Sequence, residues 1–286
     1  FCRDSAADIL AMLLAECEHA GVNIATRCEV RSVEARSGQP GSYAVAYTMN
    51  GKGDGVLHRA RCSSLVVATG ALSIPTLGGS GLVPFMFSDV MKSVCERLSG
   101  IALEVEVSCN GHSFTENLLF THRGISGPVI LQVSNYWYPG DAIAVNLLPA
   151  MDAAGWLLDS KRAHGNILLR TLLQQQLPKA LVSELQALWW PREAERKLAD
   201  FTDQRLRELA ARLGNWRLKP SGTEGYRTAE VTLGGVDTAA ISSRTMEASA
   251  CKGLYFIGEV LDVSGHLGGY NFQWAWSSAF SAGQVV

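Results

Sequence analysis

Apolar residues along this chain recur with two periods, and the switches between them divide it into segments. Ile9, Leu10, Leu13, Leu14 and Cys17 stand at helical spacing over 5–20, with Ser5 placed as N-cap and Gly21 as the stop. Residues 22–35 read as extended chain, broken near Arg27. Residues 42–48 and 56–61 alternate, and the turn-rich 50–55 stretch between them makes the pair a hairpin. The run SLVVA over 64–68 suits a strand buried on both faces, and it ends in Thr69-Gly70. Short β segments at 102–108, 128–134 and 142–147 are punctuated by Asn110-Gly111, Gly124, Gly127 and Pro139-Gly140, which predicts a small antiparallel sheet or barrel. Over 151–214 the pattern is helical, with Trp156, Leu157, Leu168, Leu169, Leu172, Leu173, Leu181, Leu185, Leu188, Leu206 and Leu209 on apolar faces. Pro178 and Pro191 mark breaks in it. Residues 219–235 return the chain to a sheet.

The last thirty or so residues organise the rest. The apolar run Leu254-Tyr255-Phe256-Ile257 ends at Gly258-Glu259, a loop with Gly265, Gly268 and Gly269 follows, and 270–282 has the composition of a helix. A strand, an acid at its tip, a glycine loop and a helix start together make a ligand site outside the carboxyl end of a strand in an open α/β sheet. Gly268 and Gly269 remove the Cβ atoms that would hold a ligand off the main chain. The unpaired N–H groups of a helix start can face a carbonyl or phosphate oxygen. Glu259 can accept hydrogen bonds from sugar or ribityl hydroxyls. A tight turn with a surface carboxylate would use the same residues.

The stretch GLYFIGEVLDVSGHLGGYNFQWAW over 253–276 resembles the closing motif of the BaiN/YhiN-type FAD-dependent oxidoreductases, a family with aminoacetone-oxidase-like members. FTHRGISGP at 120–128, NLLP at 146–149 and EGYRTAEVTLGG at 224–235 extend the resemblance over almost the whole chain. It implies an α/β fold: a Rossmann-like FAD-binding domain, incomplete at its N-terminus, over 1–82 and 231–286. An inserted β-barrel-like plus helical domain would occupy 83–230, with the β part over 100–149 and the helices over 151–216. It implies FAD contacts at Val30 (adenine), Ala68, Thr69, Gly70, Gly258, Glu259, Gly268, Gly269, Tyr270, Asn271 and Phe272, and NAD(P)H as electron donor. The family opens with a strand, G-x-G-x-x-G and a helix; that fingerprint is not in this chain, which therefore reads as a carboxyl-terminal part. Ile74–Gly81 runs straight into Leu82-Val83-Pro84-Phe85, where the family has a helix and a loop between such stretches.

Composition narrows the choice. With 286 residues, 47% hydrophobic and 18% charged, the chain is long enough for two domains. A net charge of -2 excludes a broadly basic surface but not a local patch. Seven cysteines without a C-x-x-C pair suggest reduced thiols of a cytoplasmic protein, not a zinc site. No apolar run is long enough to span a bilayer. His122 and Arg123, and Tyr226 and Arg227 beside Glu224, are candidates for proton exchange or anion binding; the first pair reads more simply as a polar surface turn, and the second group serves equally well as an interdomain tie. His266 flanks the glycine loop, and no residue is assigned to catalysis.

The resulting expectation is a FAD-dependent oxidoreductase that reduces a carbon–carbon double bond of an organic small molecule. Amine oxidation with oxygen, reduction of uridine in RNA and a non-enzymatic binding role follow as alternatives. The RNA reading draws on Lys161, Arg162, Arg192, Arg196 and Lys197 as a local phosphate-binding face.

Overall fold

The structure is a computed structural model that describes residues 5–35, 41–49, 56–71, 83–225 and 228–286. The 50–55 turn, the glycines at 78–81, and Tyr226 and Arg227 lie outside the described residues. The chain divides into two compact units, one of 1–66 with 247–255 and one of 67–246 with 256–285.

In the first unit α1 (Ala6–His19) starts where the pattern places it. The Ser5 side chain accepts from the Ala7 N–H at 3.1 Å. None of the residues on its apolar face is buried, and Leu10, Met12 and Leu14 are exposed. No described element packs closely on that face. Strands β1 (Cys28–Ala35), β2 (Tyr43–Met49) and β3 (Leu57–Cys62) form an antiparallel sheet in that order. The break expected near Arg27 is its left-handed φ of 58° just before β1. Strand β4 (Leu65–Val67) is only half-buried, because the described residues give it a single neighbour strand instead of a full sheet.

The second unit carries the main core. Strand β5 (Phe85–Met86) leads to α2 (Asp89–Arg97), then to the long hairpin of β6 (Ala102–Cys109) and β7 (His112–Phe120) and to β8 (Gly124–Ser126). Residues 128–134, expected as a strand, form α3 (Pro128–Val133). Gly127 at φ 94° breaks the extended run, and Pro128 supplies a φ already fit for a helix start. Val129, Ile130 and Val133 then fall on one buried helical face. Strand β9 (Ile143–Asn146) precedes the helices α4 (Ala153–His164), α5 (Leu169–Leu173), α6 (Lys179–Trp189) and α7 (Asp203–Gly214), as the leucine spacing predicts. Strands β10 (Trp216–Leu218) and β11 (Gly222–Thr223) follow.

The sheet order is β10-β9-β6-β7-β8-β5-β11. Flat, seven strands would hold their edges about 29 Å apart. The connection from Leu218 to Gly222 reaches at most about 14 Å, so the sheet must curl. Among the described residues no ladder joins β10 to β11, so the expected barrel is open. The edge strands are two and three residues long, and Pro220 between them has no N–H to give. One continuous core runs from Phe85, Val107, Leu118 and Ile130 under the sheet to Leu157, Leu181, Leu185 and Leu206 among the helices. Strand β12 (Leu254–Phe256) and helix α8 (Tyr270–Gly283) complete the chain.

Two consequences are measurable. A Cβ on Gly124 would overlap the Phe85 carbonyl and force β5 off β8, whereas one on Gly214, at the end of α7, meets nothing. Urea denaturation should show Gly124→Ala destabilised by more than about 2 kcal/mol, and Gly214→Ala unchanged or stabilised by up to about 1 kcal/mol. Burial, with the Glu96 carboxylate beside it, pushes the fully buried Cys95 thiol up to about 12. Thiol reagent at pH 8 should therefore label exposed Cys251 and spare Cys95 until the protein unfolds. A raised thiol pKa favours the fold fully below the unfolded value near 9.0 and loses that contribution as pH climbs toward 12.

Candidate functional site

Strand β12 passes through extended Ile257 and turns at Gly258, whose φ of 71° is open to glycine at little cost. The turn would bury a peptide with its hydrogen bonds unmade. Instead the Gly258 N–H donates to Ser278 Oγ at 2.9 Å, and the Gly258 carbonyl accepts from Trp274 Nε1 at 3.1 Å. Ser278 is fully buried in α8, and its hydroxyl is also within 2.8 Å of the Trp274 carbonyl. Gly258 is thus tied to the helix, and Glu259 and Val260 line a cleft.

The 231–236 segment makes the second wall. The Val236 N–H donates to the Val260 carbonyl at 2.9 Å, and the Asp262 N–H donates to the Val236 carbonyl at 3.0 Å. The Asp262 carboxylate accepts from the Gly234 N–H at 2.9 Å. A Cβ on Gly235 would stand 2.7 Å from the Val260 carbonyl oxygen, so these two segments meet backbone to backbone. The third wall is Thr69, Gly70 and Ala71, just past β4.

The cleft encloses about 360 Å³, lined by 69–71, 232–235, Glu259 and Val260; this lies toward the small end of ligand pockets. Beyond their chain neighbours, Gly70 (φ 69°) and Gly234 (φ 89°) have no atom of the described residues within 4 Å of where a Cβ would sit, so the described residues leave their main chain bare. Thr232 Oγ1 is buried with no hydrogen-bond partner among the described residues. Bare peptides, two threonine hydroxyls and a carboxylate suit a flat ring system with hydrogen-bonding edges and a hydroxylated chain.

Of the residues singled out in the sequence, Thr69, Gly70 and Glu259 line this cleft, and Ala68 immediately precedes it. Gly268 and Gly269 take φ of 111° and 92° at the start of α8 and do not line it. Asn271 clamps the loop, accepting from the Gly265 N–H at 2.7 Å and donating to the Gly265 carbonyl at 3.2 Å. Tyr270 and Phe272 are exposed on α8. Val30 belongs to the first unit, exposed on β1. His122 and Arg123 form a turn between β7 and β8, in which Thr121 Oγ1 accepts from the Arg123 and Gly124 N–H groups. His266 Nε2 lies 3.4 Å from the Tyr136 hydroxyl, with the Phe114 ring edge-on to it.

Sequence reasoning missed Ala71, Thr232, Leu233, Gly234, Gly235 and Val260 as lining residues, and Asp262 as the brace of Gly234. The glycine pair closing the 224–235 stretch was the available signal. Among the described residues no group of three His, Cys, Asp or Glu side chains could hold a metal ion. No helix there is long and apolar enough to cross a membrane.

A family model described as the HI0933-like protein Rossmann domain matches residues 1–285. The ribosomal RNA dihydrouridine synthase of Escherichia coli (strain K12) is 45% identical over 304 aligned positions, covering 99% of this chain and 73% of the relative. Its counterpart in Haemophilus influenzae is 42% identical, covering 98% and 73%. The 3-dehydro-bile acid delta(4,6)-reductase of Clostridium scindens is 31% identical, covering 60% of this chain and 44% of that protein. The first alignment has more positions than this chain's 286 residues, so the relative carries residues without a counterpart here. The sequence expectation placed such a gap after Gly81.

The two buried hydroxyls predict opposite responses. Ser278→Ala strands the Gly258 N–H and should cost about 1–3 kcal/mol in urea denaturation. Thr232→Val removes a hydroxyl that bonds nothing among the described residues, so the ligand-free protein should be unchanged or more stable by up to about 1 kcal/mol.

Proposed function

We propose, from the premise that this chain belongs to the HI0933-like Rossmann-domain family, that it acts as a flavin-dependent reductase saturating the C5–C6 double bond of uridine in ribosomal RNA. The observation that carries this reading is the 45% identity to a ribosomal RNA dihydrouridine synthase along nearly the whole chain. The sequence pattern ranked a small organic substrate first and RNA as an alternative. The relatives reorder them, because the two named for ribosomal RNA cover 98–99% of the chain and the bile-acid reductase covers 60%. The two names describe the same addition of two hydrogens across a carbon–carbon bond, so the reaction type is kept and the substrate changes. None of these relatives is named as an amine oxidase.

The cofactor in this reading is FAD, and the cleft of the second unit fits a part of it. Bare main chain at Gly70 and Gly234 allows a ring to approach the peptides. Thr69 and Thr232 offer hydroxyls to ring carbonyl or N–H edges, and Thr232 Oγ1 gains the partner it lacks. Glu259 accepts from ribityl or ribose hydroxyls. The first-turn N–H groups of α8, beyond left-handed Gly269, favour an oxygen acceptor. The bound flavin supplies hydride, drawn from a reduced nicotinamide. The chain's own part is to hold the ring: Ser278 and Trp274 fix Gly258, Asp262 fixes Gly234, and Asn271 fixes Gly265.

Under anaerobic conditions NADPH or NADH should bleach the FAD-loaded protein, and the bleached protein mixed with unmodified ribosomal RNA should yield a uridine nucleoside heavier by the mass of two hydrogens. Thr232→Val should retain less FAD than wild type. Bleaching without any mass change in the RNA, with turnover of an enone instead, would return the small-molecule reading.

A further inference from the structure

The helical part of the second unit holds another cleft, of about 390 Å³, between the end of α6, the turn at Pro191–Glu193 and the start of α7. Trp189, Trp190, Arg192, Glu193, Arg196 and Arg205 line it. Three guanidinium groups and one carboxylate therefore share one space. Glu193 is committed to Arg205, which donates to Oε2 through Nε at 3.0 Å and Nη2 at 2.9 Å, and also to the Trp189 carbonyl at 2.8 Å. The contact from Arg196 to Glu193 is 3.9 Å, with the Arg196 side chain 57% exposed. Arg192 makes no ion pair with the described residues. Positive charge is left over beside two tryptophans.

Trp190 is 1% exposed. A core indole normally finds an acceptor for its N–H. Trp190 Nε1 is buried with no partner among the described residues, and Trp190 lines the cleft. Trp189 is only partly buried and meets Trp216 edge-on at 5.7 Å. An acidic peptide would satisfy the arginines but leave the aromatic pair without a role. A nucleotide uses both, since any base has a π-face for indole or guanidinium and carries its own phosphate.

We infer that this cleft is an RNA subsite, which takes one unstacked base of a single-stranded segment against Trp189, over the buried Trp190, with the neighbouring phosphates on Arg192 and Arg196. The inference rests on the RNA reading of the function. It names the surface that grips the strand, apart from the cleft proposed for the flavin.

The test is titration of FAD-loaded protein with a twelve-residue oligouridylate, read by tryptophan fluorescence over a salt series, with inorganic polyphosphate as the comparison probe. Flavin content of each variant serves as the folding control. Arg192→Glu with Arg196→Glu should weaken oligouridylate binding at least tenfold at low salt and flatten the log–log salt slope by about 1.4. Trp189→Ala should weaken oligouridylate about tenfold and leave polyphosphate unchanged, with Trp189→Phe restoring binding. An unaltered affinity and slope in the arginine variant, while wild type still forms dihydrouridine, overturns the subsite and leaves the function standing. Equal loss of both probes in Trp189→Ala overturns it in favour of a plain anion site. Loss of oligouridylate binding in the variants, with no dihydrouridine made by wild type, supports the subsite and removes the function.

Discussion

One buried hydroxyl, that of Ser278, sets the geometry on which the proposed cofactor cleft depends. Strand β12 ends in a left-handed glycine, and such a turn leaves a peptide N–H pointing into protein instead of along a ladder. Ser278 takes that N–H, and Trp274 caps the carbonyl of the same residue. Two residues four apart on α8 thereby lock both polar main-chain groups of one residue, Gly258. The helix and the strand end become a single rigid corner, and Glu259 and Val260 have one direction left to face. Thr232 lines the same cleft as Glu259 and Val260, and its buried hydroxyl has no hydrogen-bond partner among the described residues.

The legible part of the fold was its periodicity. Helices α1, α4, α6 and α7 and the first hairpin lie where apolar spacing put them, and α8 where composition did. The spacing misread α3, because Val129, Ile130, Leu131 and Val133 prefer strands locally while Gly127 and Pro128 start a helix. It could not show that α1 would bury nothing, since an apolar stripe reports a preference for contact and not the presence of a neighbour.

The candidate site was half legible for a similar reason. A glycine in a sequence says that a Cβ is excluded, without saying by what. At Gly124 the excluder is the Phe85 carbonyl, and at Gly235 it is the Val260 carbonyl. At Gly265 it is Tyr270, with Asn271 closing the same loop by its side chain. At Gly70 and Gly234 the same volume meets no atom of the described residues beyond the chain neighbours. Gly268 and Gly269 were read as a ligand cradle because they carry no Cβ and precede the free N–H groups of a helix start. In the fold much of that chemistry is spent on holding a loop to a helix, and the barest main chain is supplied by residues far away in sequence.

Net charge gave the weakest guide to partners. The chain carries a formal charge of -2, but charges separated by more than a Debye length, about 8 Å at physiological salt, scarcely feel one another. What a phosphate meets is therefore the local balance. In the helical part, Lys161 is spent on Asp203 at 2.7 Å, Arg170 on Glu195 at 2.7 Å and Arg97 on Glu184 at 2.6 Å. Exposed pairs of this kind contribute little to stability but neutralise the surface around them. Arg192 escapes that pairing, and Arg196 is held only loosely. A polyanion approaching this face finds its counter-charge concentrated at one turn, beside two indoles, instead of spread across the domain. An acidic protein can in this way hold RNA at a point, with a shallow salt dependence set by a few phosphates and not by its overall charge.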